Sequence, residues 1–157
     1  MDNFRKKIWI SVIGGHNPNQ KALGNAFRVG KLIAENDAVL VCGGLGGVMQ
    51  AAAKGAKSGG GLTIGILPNS SRFDANPYID IPIPTGLGIA RNLLVVRAGD
   101  VAIAVDGFWG TLSEIALAKN LGRTVIALDS YEIDGLIVVD SPENAVKLAI
   151  ENAKQKF

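Results

Sequence analysis

The stretch AIAVDGFWGTLSEIALA, Ala102 to Ala118, holds a short apolar run, a break at Asp106-Gly107, two aromatic residues, and a Gly110-Thr111 step into a second apolar segment. Strand, glycine turn and helix in that order form the repeating half of a parallel α/β sheet. The same order recurs on both sides of it. Ile8–Ile13, Ala38–Cys42, Leu62–Leu67, Val101–Val105 and Thr124–Leu128 are short, apolar on both faces and bounded by Gly, Pro or Asp. Strands covered by helices on both faces have this pattern. Ile79–Ile83 reads as an extended segment that Pro82 and Pro84 confine to an edge, and Leu136–Val139 as another marginal strand.

Helical patterns fill the intervals. Leu23, Phe27, Gly30 and Ile33/Ala34 give the first a buried stripe. Val48–Lys57 is alanine-rich and stops at Gly59-Gly60-Gly61, and Ile89–Ala98 and Thr111–Leu121 follow. Ser141-Pro142-Glu143 opens the last, with Val146, Ala149, Ile150 and Ala153 on its inner face. The alternation predicts a doubly wound, mainly parallel sheet with helices on both faces, a three-layer α/β/α Rossmann-like architecture. No linker or repeat interrupts it, so residues 1–157 are expected to form one domain.

Composition narrows the function classes. Hydrophobic residues make up 48% and charged residues 19%, which places the chain among core-rich globular proteins. A net charge of +2 with dispersed Lys and Arg argues against a dedicated nucleic-acid binder. The lone cysteine, Cys42, permits no internal disulfide and no cysteine zinc cluster, and the lone histidine, His16, no multi-histidine site; no metal is expected. Cys42 reads as a small core residue, His16 and Asn17 as turn residues, and Arg97 as part of a solvated face. Basic residues precede the run at Ile8, but that run is strand-length and lacks a cleavage pattern, so a cytoplasmic setting without a membrane segment is expected.

Ligands of open parallel sheets bind beyond the carboxyl ends of the strands. Four glycine turns fall at that edge: Gly14-Gly15-His16-Asn17, Gly43-Gly44-Leu45-Gly46-Gly47, Pro84-Thr85-Gly86-Leu87-Gly88 and Asp106–Thr111. Helix N-termini behind such turns bind anions, so a phosphate-bearing, nucleotide-sized ligand is expected. Neither familiar phosphate motif fits. Gly30-Lys31 continues into Leu32 instead of Ser or Thr, and the run begun at Gly44-Leu45-Gly46 has Met49 in place of its third glycine. Thr111 and Glu114 have the Thr-x-x-Glu spacing of a capping box, and read equally well as a cap and as ligand residues. Arg91 stands early in its helix, where the macrodipole disfavours a cation; that placement points to an anionic partner. The helix carrying Leu112, Ile115, Ala116, Leu117, Ala118 and Leu121 has more apolar surface than one stripe requires, which predicts a homodimer or homotetramer built on it.

The stretch GFWGTLSEIALA resembles the Gly-Gly-x-Gly-Thr-x-x-Glu signature of the Lonely Guy and "lysine decarboxylase-like" (SLOG) Rossmann superfamily. CGGLGGVMQAAAKGAKSGGGLTIGILP is similar to the second strand, glycine turn and third strand of that group. TGLGIARNLLVVRAGDVAIAV resembles the Gly-x-x-Arg-Asn form of its small bacterial and archaeal branch, which includes molybdenum cofactor carrier proteins. The resemblance implies a homo-oligomeric nucleotide-binding fold. Its ligand residues would be Gly14, Gly15, Gly43, Gly44, Gly46, Gly47, Gly86, Gly88, Arg91, Asn92, Gly107, Gly110, Thr111 and Glu114. No cofactor is required by it; a bound nucleotide or molybdenum cofactor is compatible. In the hydrolytic members a phosphoribohydrolase cleaves a nucleoside 5′-monophosphate with an arginine and the signature glutamate, here Arg91 and Glu114.

The chain departs from the hydrolase pattern. Asp106-Gly107-Phe108 stands where hydrolases have Pro-Gly-Gly, with Phe108 expected to restrict the turn and Asp106 to need a partner such as Arg91. Gly88-Ile89-Ala90-Arg91-Asn92 stands where they have Met-His-x-Arg-Lys. The expectation is a cytosolic binding or carrier protein for a phosphorylated nucleotide-like or pterin-type ligand. A phosphoribohydrolase is the alternative, and single-stranded DNA binding, as in DNA-processing relatives of the superfamily, the weaker one.

Overall fold

The computed structural model describes residues 3–155; the two residues at each end of the expected 1–157 unit lie outside the described residues. Seven strands and five helices follow the expected alternation: β1 (Trp9–Gly14), α1 (Gln20–Glu35), β2 (Val39–Cys42), α2 (Val48–Ser58), β3 (Thr63–Leu67), β4 (Ile81–Pro84), α3 (Asn92–Ala98), β5 (Val101–Val105), α4 (Trp109–Asn120), β6 (Thr124–Leu128), β7 (Ile137–Val139) and α5 (Pro142–Lys154). The strands lie in the order β4-β3-β2-β1-β5-β6-β7, every pair parallel. Proline-bearing β4 and three-residue β7 take the two edges, where a missing N–H or a short ladder costs least.

The period of two along each strand sorts the core into two faces. On β5, Val101, Ile103 and Val105 join the cluster under α1, α2 and α5, with Val29, Ala52 and Val146. Ala102 and Ala104 turn to the cluster under α3 and α4, with Val95, Ile115 and Ala118. The result is a three-layer α/β/α Rossmann-like fold.

Two helices differ from expectation. The buried stripe of α1 runs through Ala22, Ala26, Val29, Gly30 and Ile33, with Leu23 and Phe27 only half-buried. The shift follows from the α1–α2 contact: a Cβ on Gly30 would overlap the Ala52 carbonyl, and one on Gly55 the Phe27 carbonyl, so backbone meets backbone at this crossing. The segment expected to be helical from Ile89 is a tight 3₁₀ turn over Gly88–Arg91, and α3 begins only at Asn92.

From β1 the chain winds outward through β2 and β3 to β4, then returns by α3 to β5 on the other side of β1. Gly14 and Val105 are the last registered pair of those two strands, so the turns after them leave a crevice at the point where the winding reverses.

Candidate functional site

A cavity of ≈ 660 Å³ opens at this crevice, inside the range of small-molecule sites. Gly14, Gly15, His16 and Asn17 from the β1 turn and Asp106, Gly107, Phe108, Gly110 and Thr111 from the β5 turn form two of its sides. Gly88, Ile89, Arg91 and Asn92 close a third, and Leu45, Met49, Pro68 and Glu114 complete it. The expected residues Gly14, Gly15, Gly88, Arg91, Asn92, Gly107, Gly110, Thr111 and Glu114 are thus brought together. Gly43, Gly44, Gly46, Gly47 and Gly86 are not among the lining residues, and only Leu45 and Met49 represent the second glycine turn and its helix.

Gly43 has a different task. A Cβ there would sit 2.6 Å from Arg91 Nη1 and 2.5 Å from Met49 Sδ, so the bare backbone makes room for the guanidinium. Arg91 is 6% exposed, far from a solvated helix end. Its Nη1 donates to Asn92 Oδ1 at 2.9 Å, Asn92 Nδ2 donates to Ser113 Oγ at 3.4 Å, and Ser113 Oγ donates to the Gly110 carbonyl at 2.7 Å. This chain ties the arginine to the first turn of α4 and occupies the side chain of Asn92, which holds its neighbours in place. Ser113 escaped the sequence reading because a serine on a helix carries no signal of so distant a partner.

The Thr111–Glu114 spacing is not a capping box. Phe108 is the N-cap of α4 and no side chain caps the helix; Thr111 and Glu114 sit inside it, 3% and 6% exposed. The first amides of α4 therefore lack a side-chain partner where Gly110 and Thr111 line the cavity, and the positive end of the helix faces it. At α2, by contrast, the Val48 amide is taken by the Gly15 carbonyl at 3.1 Å.

Gly107 holds φ +125°, and a Cβ on it would strike the Thr111 side chain. Phe108 has ordinary extended backbone and a side chain 69% exposed, so it does not restrict the turn as expected. Trp109, also 69% exposed, lies beside it with ring centroids 5.5 Å apart. Phe108 lines the cavity, Trp109 does not, and neither fills a corner. Asp106 has no ion pair with Arg91; its carbonyl accepts from Ser130 Oγ at 2.6 Å and it takes φ +55°.

Burial pushes the Glu114 carboxyl up to about 8, against the pull of the Arg91 charge. Burial lowers Arg91, with Glu114 opposing. No hydrogen bond or close ion pair joins the two, and Arg91 Nε is buried without a partner. Cys42, fully buried at the end of β2, is pushed up to about 11 by burial and stays a neutral thiol. Behind the second turn, Asn76 donates from its amide N–H to the Gly44 carbonyl and from Nδ2 to the Leu45 carbonyl, both at 2.9 Å. Asn76 was invisible in sequence, since it lies in the loop between β3 and β4 and acts across 31 residues. Among the described residues there is no group of three or more His, Cys, Asp or Glu that could hold a metal ion, and no helix long and apolar enough to cross a membrane.

Comparison with known proteins adds three relatives and a family. The model of the SLOG cluster4 family matches residues 7–156. An uncharacterized protein of Archaeoglobus fulgidus is 45% identical over 149 residues, 94% of this chain and 98% of its own. The molybdenum cofactor binding protein of Rippkaea orientalis superposes with a TM-score of 0.89 at 38% identity, over 93% of this chain and 97% of that one. The molybdenum cofactor carrier protein of Chlamydomonas reinhardtii gives 0.88 at 32% identity, over 95% and 99%.

Proposed function

The chain belongs to the SLOG cluster4 family, and from that premise we propose that it is a cytosolic binding or carrier protein for a phosphorylated pterin-type ligand, the molybdenum cofactor. One observation carries the reading: the uncapped N-terminus of α4 and the buried Arg91 face one cavity of ≈ 660 Å³ at the winding reversal. The amides of the first turn suit a terminal phosphate, and the remaining volume suits a fused heterocycle. The two solved neighbours named as molybdenum cofactor proteins, both above 30% identity, support the choice of cargo.

The test is cargo recovery. The protein, purified from a host that makes the cofactor, is oxidised and assayed for the fluorescent pterin released. Stoichiometric pterin is expected. Its absence, together with no heat of binding when the cofactor is added, rejects the carrier reading.

A phosphoribohydrolase remains the second reading because Arg91 and the protonated Glu114 share the cavity, a pairing suited to leaving-group protonation. Adenine released from AMP, and abolished by Glu114→Ala, would establish it; no release removes it.

The proposed assembly is a homo-oligomer. Of the large apolar side chains on this side of the molecule, Leu87, Ile89 and Trp109 are 53%, 78% and 69% exposed, around the first turns of α3 and α4. A monomeric mass by light scattering at micromolar concentration rejects this assembly.

A further inference from the structure

Two polar groups that line the cavity keep hydrogen-bonding capacity that the protein leaves unused. Arg91 and Glu114 are each 6% exposed, and both line the cavity. Arg91 Nε is a buried donor with no acceptor, and the Glu114 carboxyl has no hydrogen bond to another side chain or to the backbone among the described residues. Buried polar groups in folded proteins are satisfied as a rule, and exceptions mark places where something else supplies the partner. A phosphate is a poor candidate for this pair. The arginine has committed Nη1 to Asn92 and keeps its Nε and Nη2 donors, but a phosphate offers acceptors only and has nothing to donate to the carboxyl beside them. The phosphate has the better place at the amides of α4.

Resting on the ligand-binding reading of this cavity, we propose that Arg91 and Glu114 recognise the acceptor–donor–donor edge of a 2-amino-4-oxo fused heterocycle, the edge that pterins share with guanine. Arg91 donates to the ring carbonyl, and the Glu114 carboxylate accepts from the ring N–H and the exocyclic amine. The pair thereby sets ligand class. Adenine has an exocyclic amine where the carbonyl would be and an unprotonated ring nitrogen where the N–H would be. It would set donor against donor at Arg91 and, with a lone pair and a C–H in place of the two N–H donors, give the Glu114 carboxylate nothing to accept. A site built to hydrogen-bond one pattern discriminates strongly against its mismatch.

The assignment has a proton signature. Accepting from two donors requires the ionised carboxylate, whereas burial keeps the free protein's Glu114 protonated at neutral pH. Ligand binding therefore releases a proton. The charged and titratable groups facing Glu114 are Arg91, from the turn before α3, and Cys42, from β2; Asp106 and His16 share the cavity from the β5 and β1 turns.

Calorimetric titration with guanosine 5′-monophosphate, adenosine 5′-monophosphate and inorganic phosphate, at neutral pH in buffers of different ionisation enthalpy, tests this. The guanine nucleotide is expected to bind at least about tenfold more tightly than the adenine nucleotide, with proton release on binding. Glu114→Gln, checked for its fold by circular dichroism, is expected to lose both the preference and the proton release. Equal affinities, or a preference that survives Glu114→Gln, overturn the edge assignment while leaving phosphate binding in place. Failure of all three probes to bind also overturns the edge assignment, and the carrier reading is then decided by pterin recovery alone.

Discussion

Glu114 makes stability depend on pH in a range where carboxylates are ordinarily silent, and Glu114→Gln isolates the effect. Burial moves its folded value from 4.5 to about 8. An acid with a raised folded value keeps its proton in the native state after the unfolded chain has lost its own. The unfolded state then binds fewer protons, so stability falls as pH rises, fully present below the unfolded value and lost by the time the folded value is passed. Integrated from pH 5.5 to 8.5, the loss is about 3 kcal/mol. Other displaced groups act outside this window. At Asp80, burial is outweighed by the bonds from Lys57 and Thr63, and Glu143 is held low by Arg28, so both change only in acid. Cys42, pushed to about 11 from 9.0, acts only in alkali. Urea unfolding of the ligand-free protein across this range should show the gap between the more stable variant and wild type widening by about 3 kcal/mol. A gap that stays constant would mean that native Glu114 is already ionised, and would refute the claim that burial dominates its environment.

Three further substitutions probe the supports of the site. Gly43→Ala places a Cβ 2.6 Å from Arg91 Nη1 and should cost about 1–3 kcal/mol while displacing the guanidinium; the urea midpoint and ligand titration read the two effects separately. Asn76→Ala removes the donor to the Leu45 carbonyl and the acceptor of the Tyr78 amide, a loss of about 1–3 kcal/mol that should appear as faster amide exchange at Tyr78. Ser141→Ala deletes the cap that accepts from the Asn144 amide at 3.2 Å, and should lower stability by about 1 kcal/mol without touching ligand binding; a change in affinity would show that α5 communicates with the cavity.

The strands were legible because each is buried on both faces: the apolar runs at Val101–Val105 and Thr124–Leu128 coincide with β5 and β6. Ser141-Pro142 was equally readable, since a cap and an N1 proline act within one turn. Errors arose where the deciding contact is remote. The α1 stripe is set by a crossing at Gly30 and Gly55, which no local period encodes. The capping box failed because α4 starts at Trp109, before the spacing begins. Glycine count overstated the phosphate cradle too. Gly46 and Gly110 have open space where a Cβ would go, whereas Gly107 is demanded by its positive φ and by Thr111.

That last distinction bears on how the site differs from a hydrolase signature. Phe108 stands where such a signature has glycine, and its extended backbone is one that any residue adopts. The turn's geometry therefore rests on Gly107 and survives the replacement. What changes is chemistry at the turn: an exposed Phe108 against the cavity, with Trp109 beside it, and an Asp106 with no cationic partner among the described residues. On the proposed reading, the retained turn would keep the means of holding a phosphate while the altered side chains change what can approach it. Inside, Asn92 secures Arg91 through a bond that leaves Nε free, and Glu114 waits uncharged. A fixed donor and a carboxyl that ionises at neutral pH once it is offered donors would make up the recognition pair proposed above. Catalysis would ask the same glutamic acid to give its proton to a leaving group, whereas an acceptor–donor–donor edge bound against it favours the ionised form, its proton released to solvent and none left to give.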